Sequence, residues 1–118
     1  MLKSMIALTG ACALFLIAPS EANAGEKRGR ITSVHLGQQH AEKVFVKIEG
    51  AYTQPEPACS LGVSSWDFVL NVSSPTGKAI YTQLIAAQYS QTPLLVAGTG
   101  DCFLHGGYET LQHIIIDT

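Results

Sequence analysis

Few side chains in this sequence combine the type and the spacing needed for acid–base, nucleophilic or metal chemistry. The four histidines show neither HxxxH nor HExxH spacing, so a zinc site of those kinds is not predicted: His35, His40, His105 and His113. No serine lies in a GxSxG motif, the strained turn that exposes the nucleophile of many hydrolases. Asp101 and Glu109 flank one turn, and turn capping accounts for both. We therefore predict that the protein is not an enzyme and holds no metal or cofactor.

The cysteines predict a disulfide. Cys59 and Cys102 are far apart in the sequence and lie outside any CxxC motif. In an oxidising compartment such a pair is more often a structural bridge than a metal or redox site. Closing a loop of this length stabilises the fold by about 4 kcal/mol in the chain-entropy model.

The first 24 residues have the pattern of a signal peptide. A basic residue precedes the apolar run Met5–Ala18, which is shorter than the roughly 20 residues of a membrane span. Ala22 and Ala24 have the small-residue spacing that a signal peptidase accepts. The sequence thus predicts cleavage before Gly25, and export to the periplasm or the medium.

A lipoprotein signal ending at Cys12 is the alternative. Thr9 stands where such a motif has leucine, so cleavage at Ala24 is favoured. The prediction is then a signal peptide over residues 1–24 and a single domain over residues 25–118, long enough for one modest core.

The charge balance argues against a nucleic-acid partner. Seven Lys and Arg residues stand against nine Asp and Glu, giving a net charge of −2, and no basic stripe is present to neutralise phosphates. One local basic cluster, Lys27, Arg28 and Arg30, follows the predicted cleavage site. We interpret it as a solvated arm.

Five strands and one helix are predicted from hydrophobic spacing. The strands are Arg28–Leu36, Lys43–Glu49, Ser65–Val72, Leu94–Gly98 and Thr110–Ile116, and the helix covers Thr76–Tyr89 between the third and fourth strands. Irregular spacing in the first strand indicates a bulge or strong coiling. The Pro- and Gly-rich segment Gly50–Gly62 is predicted to be a loop. One core wall should hold Trp66, Phe68, Leu70 and Val72 against Ile80 and Leu84 of the helix.

This β-β-β-α-β-β order is that of the OB-fold, a five-stranded coiled barrel. The segment from Trp66 through Cys102, with its WDFVLNVSSPTGKAIYTQLIAAQ block and GTGDC turn, resembles a broad group of small exported bacterial proteins. That resemblance implies an export route and a fold but no activity. The topology is also similar to the B subunits of AB5 toxins, which are exported, disulfide-bonded OB-folds that form rings and bind cell-surface glycans.

We predict a non-catalytic binding module for a glycan or an envelope component. Phe45 is the apolar exception on the polar face of the second strand, and Tyr52 lies in the loop after it. His105 and Tyr108 lie between the fourth and fifth strands, where OB-folds commonly bind. These four residues are the candidate binding residues. The alternative is a structural protein of the bacterial envelope that assembles as a homo-oligomer.

Overall fold

The computed structural model describes residues 24–116. In chain order the elements are β1 (Glu26–Gly29), β2 (Ile31–His35), β3 (Lys43–Ile48), β4 (Tyr52–Gln54), β5 (Phe68–Asn71), α1 (Pro75–Ser90), β6 (Leu94–Gly98) and β7 (Glu109–Ile115). Short 3-10 turns cover Gln38–His40 and Ala58–Ser60. Apart from Ala24, the predicted signal peptide and its lipoprotein alternative at Cys12 lie outside the described residues.

The strands form one sheet in the order β2-β3-β5-β7-β6-β1-β4. All neighbouring strands are antiparallel except β5 and β7, which run parallel. The sheet is not closed, because β2 and β4 are its two edges. The prediction of a mostly β protein with one helix is confirmed, but the predicted five-stranded barrel is wrong in strand number and in closure.

The first predicted strand is divided in two at Arg30. β1 pairs with β6 and β4, whereas β2 pairs with β3 on the other side of the sheet. Two segments separated by a single residue therefore belong to opposite flanks of the sheet, which requires the sheet to curl strongly. The register shifts between Ile31 and Ser33, so the predicted irregularity in this strand is confirmed.

The segment Gly50–Gly62, which was predicted to be a loop, contains a short strand, β4. Gly50 has a φ of 97°, a backbone conformation that glycine adopts readily and other residues rarely do. This turn directs Tyr52 and Gln54 alongside β1, where they pair with Lys27 and Glu26.

The basic cluster is not a solvated arm, since its members lie in or beside β1. Lys27 is buried, and its Nζ lies 3.1 Å from Oδ1 of Asp67. Asp67 is buried as well. Burial of this ion pair places β1 against the segment that leads into β5.

Helix α1 confirms the predicted helix and extends it by one residue at each end. The Ser74 side chain accepts a hydrogen bond from the Gly77 N–H at 3.0 Å, and Pro75 occupies the first turn, where it fits without strain. Gln91 ends the helix in a left-handed conformation with a φ of 57°. A side chain at Gly77 would collide with the Asn71 carbonyl, so glycine allows α1 to lie directly on the end of β5.

The core lies between α1 and the sheet. Its buried members are Ile31, Val44, Val46, Ile48, Phe68, Leu70, Leu84, Ala87, Leu94, Val96 and Leu111. Phe68, Leu70 and Leu84 meet as predicted, with Val72 and Ile80 partly buried against them. Trp66 is the exception, because it precedes β5 and lies outside this cluster.

The predicted disulfide is confirmed. Cys59 and Cys102 are bridged, with their Cα atoms 6.1 Å apart. The bridge joins the segment before β5 to the segment after β6.

Candidate ligand-binding site

Aromatic and imidazole side chains from five parts of the chain surround a cavity of about 100 Å³. They are His35, His40, Phe45, Trp66, His105 and Tyr108. They come from the end of β2, the turn before β3, β3 itself, the segment before β5 and the connection between β6 and β7. The curl of the sheet brings these segments together.

Phe45 forms the floor of the cavity. Its ring centroid lies 4.9 Å from that of His40, 5.0 Å from that of His105 and 5.5 Å from that of Tyr108, all edge to face. Such edge-to-face contacts are favourable for aromatic rings. Phe45 is only 2% exposed, so the prediction of an exposed phenylalanine is wrong. Its side chain does lie on the face of β3 opposite the core residues, but other aromatic rings cover that face.

His35 and Trp66 form the other side of the cavity. Their ring centroids are 5.4 Å apart with an angle of 30° between the planes. His35 also contacts His40 at 5.4 Å. Trp66 is half-buried, so part of its ring surface is accessible from the cavity.

A lysine lies beside the third histidine of the site. Nζ of Lys43 is 3.4 Å from Nδ1 of His105, and because an ammonium group can only donate, Nδ1 is the acceptor. Partial burial lowers the pKa of His105, and the charges of Lys43 and His40 lower it further. These effects favour the neutral form of the His105 imidazole, with the Lys43 ammonium group at one of its nitrogens.

We expect His105 to titrate below 6.5, its ordinary value. A pKa depressed by folding means that the neutral form contributes stability above that value, and that this contribution is lost as the pH falls through the lower folded-state pKa. Replacing Lys43 by methionine should move the pKa of His105 back towards 6.5, as followed by NMR of the imidazole protons.

Lys47→Met is the matched control, since Lys47 lies on the same strand and its Nζ contacts the Ser64 carbonyl at 2.8 Å. A His105 pKa at or above 6.5 in the unaltered protein would contradict the arrangement. An equal shift in the two lysine variants would do so too.

Three of the four predicted binding residues are brought together, namely Phe45, His105 and Tyr108. Tyr52 is not among them. Its ring lies 5.0 Å from the Lys27 ammonium and 6.3 Å from the Phe68 ring. Burial raises the pKa of Tyr52, and nearby carboxylates, Asp67 first, raise it further. Tyr52 therefore supports the buried ion pair and is not part of the cavity.

The sequence reasoning missed His35, His40 and Trp66. Both histidines lie close before Phe45 in the sequence, and this local clustering of rings was an available signal. Trp66 gave the opposite signal, because its alternation with Phe68 indicated a core position.

No family model, curated protein or solved structure matches this chain. Within residues 24–116, no group of three or more His, Cys, Asp or Glu side chains is arranged to hold a metal ion. No helix of the described part combines the length and the apolar character needed to cross a membrane.

Proposed function

We propose that this protein is an exported, non-catalytic binding module that takes a ring-shaped group, such as one sugar unit of a glycan or envelope component, into the aromatic cavity. The observation that carries the proposal is the convergence of six aromatic and imidazole side chains on about 100 Å³. Ligand sites for whole drug-sized molecules are larger, about 300–1,000 Å³. The size of this cavity favours a single ring.

The connectivity of the sheet supports an open, OB-like arrangement. β5 pairs in parallel with β7, α1 connects β5 to β6, and β1 and β2 are two halves of one coiled strand interrupted at Arg30. OB-folds bind oligonucleotides and oligosaccharides with the face of their second and third strands and the loops beside it. We infer that the aromatic cavity corresponds to that region, because it lies between β3, the turn before it and the β6–β7 connection.

The polar groups at the site favour a neutral or weakly charged ligand. A basic side chain, Lys43, contacts His105 of the cavity, and the whole chain has a net charge of −2. With Nδ1 accepting from Lys43, neutral His105 can donate a hydrogen bond to a ligand through Nε2, and the Tyr108 hydroxyl can both donate and accept. Trp66 offers a flat apolar surface to a sugar ring.

Export is part of the proposal. A disulfide between Cys59 and Cys102 is compatible with an oxidising compartment, such as the periplasm or the medium. The resemblances proposed from the sequence, to small exported bacterial proteins and to the B subunits of AB5 toxins, would imply the same location.

The test is binding of the exported protein to an array of neutral oligosaccharides and peptidoglycan fragments. Trp66→Ala should weaken binding to the retained glycan by tenfold or more, because buried aromatic anchors in binding sites contribute about 2 kcal/mol or more. Tyr89→Ala is the control, since Tyr89 lies on α1 and is 86% exposed. If no glycan is retained, or if both variants bind equally, the proposal is wrong.

A second candidate function is self-assembly in the envelope, favoured by the large apolar side chains left exposed. Phe103 is 91% exposed, and Tyr89 is nearly as open. Such groups mark interaction surfaces when they are contiguous. Light scattering of the purified protein would show a stable oligomer in this case, and Phe103→Ser would dissociate it.

A further inference from the structure

Glu109 is a buried acidic residue, as Asp67 is, but within the described residues only one of its two carboxylate oxygens has a hydrogen-bond partner. Glu109 begins β7 and is 0% exposed. Its Oε2 accepts hydrogen bonds from the backbone N–H groups of Gly25 and Gly100, each at 2.9 Å. Its Oε1 has no hydrogen-bond partner in the part of the chain that the structure describes. A buried carboxylate in such surroundings is costly unless its charge is matched.

The groups around Glu109 do not match its charge. Burial raises the pKa of Glu109, and the neighbouring carboxylates Glu56 and Asp101 raise it further, whereas its two backbone hydrogen bonds act in the opposite direction. Tyr52 also lies within electrostatic range of Glu109. Within residues 24–116, the groups that donate hydrogen bonds to this carboxylate are two backbone amides, and neither is a cation.

One of those amides belongs to the residue at which the sequence predicts cleavage. Gly25 is buried, whereas Ala24 before it is exposed. A Cβ atom at Gly25 would lie 2.5 Å from Oε1 of Glu109 and 3.1 Å from Cα of Glu56, so glycine is the residue that fits. The bond between Ala24 and Gly25 therefore lies where the chain passes from solvent into the carboxylate site.

We propose that hydrolysis of the Ala24–Gly25 bond by a signal peptidase creates an α-ammonium group at Gly25 that forms a buried ion pair with Glu109. Water adds across the amide: the Ala24 carbonyl carbon takes the hydroxyl and leaves with the leader as a carboxylate. The Gly25 nitrogen takes the protons and becomes the ammonium group. No oxidant or reductant is involved.

The new terminus supplies what Glu109 lacks. The Gly25 amide has one N–H, which donates to Oε2 of Glu109. An ammonium group has three N–H donors and can rotate, because it is not part of a planar peptide bond. A second N–H can then serve Oε1. With an ordinary pKa of about 7.7–8.0 the α-amino group is charged at neutral pH, and a partner carboxylate favours that charge. Processing thus exchanges a buried, unmatched carboxylate for a buried, matched pair, and the processed protein is more stable than its precursor.

The experiment uses the full chain exported with its own leader and purified after processing. Its first residue is identified by mass spectrometry, with Gly25 expected. Half of the sample is acetylated at the α-amine in denaturant at mildly acidic pH, where lysines are protonated, and refolded with the disulfide intact. Acetylation should raise the equilibrium constant for unfolding in urea by about 100-fold or more, because one partner of a buried pair is then lost.

Two variants separate the proposed pair from a general effect of acetylation. In Glu109→Gln acetylation should leave the protein equally or more stable, because it removes an ammonium group that is already buried without its counter-charge. In Glu26→Gln, beside Gly25 but half-exposed, acetylation should keep its full effect. If the acetylated and free forms of the unaltered protein had the same equilibrium constant for unfolding, the proposal would be overturned.

A second measurement does not depend on any variant folding. The α-amine of the folded protein should react with acetic anhydride at least tenfold more slowly than in denaturant, because it is buried and held by Glu109. A folded-state rate equal to the denatured rate, or a first residue other than Gly25, would also overturn the proposal.

Discussion

Replacing Asp67 by alanine is expected to lower the free energy of unfolding by about 3–5 kcal/mol, because it leaves the buried Lys27 ammonium without its counter-charge. The side chains of the pair are 9% and 8% exposed, and Nζ and Oδ1 are 3.1 Å apart. Both partners also bind Ile48: its N–H donates to Oδ2 of Asp67 at 2.8 Å, and its carbonyl accepts from Lys27 at 2.9 Å. The substitution removes two of these three interactions, the ion pair with Lys27 in β1 and the hydrogen bond from Ile48 in β3. Urea unfolding followed by tryptophan fluorescence measures the loss.

The matched control is the exposed ion pair between Arg30 and Glu49. Their atoms are 3.3 Å apart, but the side chains are 49% and 46% exposed, and such pairs contribute about 0–1 kcal/mol. Glu49→Ala should therefore cost little. The double variant Lys27→Met with Asp67→Leu should recover part of the loss, since it removes both buried charges. If Asp67→Ala and Glu49→Ala lowered the free energy of unfolding by the same amount, burial would not be the reason that the Lys27–Asp67 pair stabilises the fold.

Truncating Leu84 to alanine should cost about 2–5 kcal/mol, the range for removing a large apolar side chain from a packed core. Leu84 is 0% exposed and joins the cluster containing Phe68 and Leu70. For a domain of this size that loss is a large part of the total stability, which is about 5–15 kcal/mol. Urea melts of the purified variant measure the change.

Gln83→Ala is the control for the helix itself. Gln83 precedes Leu84 on α1 and is exposed, and alanine is a good helix former. This variant should stay close to the unaltered protein in stability. If the two variants unfolded at the same urea concentration, the result would contradict the packing of Leu84 of α1 against the sheet.

The sequence predicted those features that depend on a few consecutive residues. Ser74 and Pro75 mark the start of α1, and the apolar spacing up to Ala87 marks its buried stripe, so the helix was predicted to within one residue at each end. The disulfide was predictable because the predicted export and the absence of a CxxC motif left few alternatives.

Features that depend on distant contacts were not predictable in the same way. Alternation shows that Phe45 and Val46 face opposite sides of β3, but it cannot show that other rings cover the Phe45 side. Tyr52–Gln54 is a strand because β1 lies beside it, not because of its own residues. Trp66 fits the alternation of β5 but lies two residues before the strand begins. Its side chain therefore lines the cavity and does not enter the predicted core.

The Cys59–Cys102 bridge also bears on how tightly a ligand could be held. Cys102 is three residues before His105, and Cys59 is seven residues before Trp66, so both cavity-lining segments are anchored at one point. Each loop side chain that must be ordered on association lowers affinity by about 0.5–1.5 kcal/mol, and segments ordered in advance avoid that loss. If the proposed ligand binds in this cavity, reducing the bridge would release the two segments and shorten the residence time of that ligand, even where the remaining sheet stays folded. The same sequence would then bind weakly in a reducing compartment and tightly in an oxidising one.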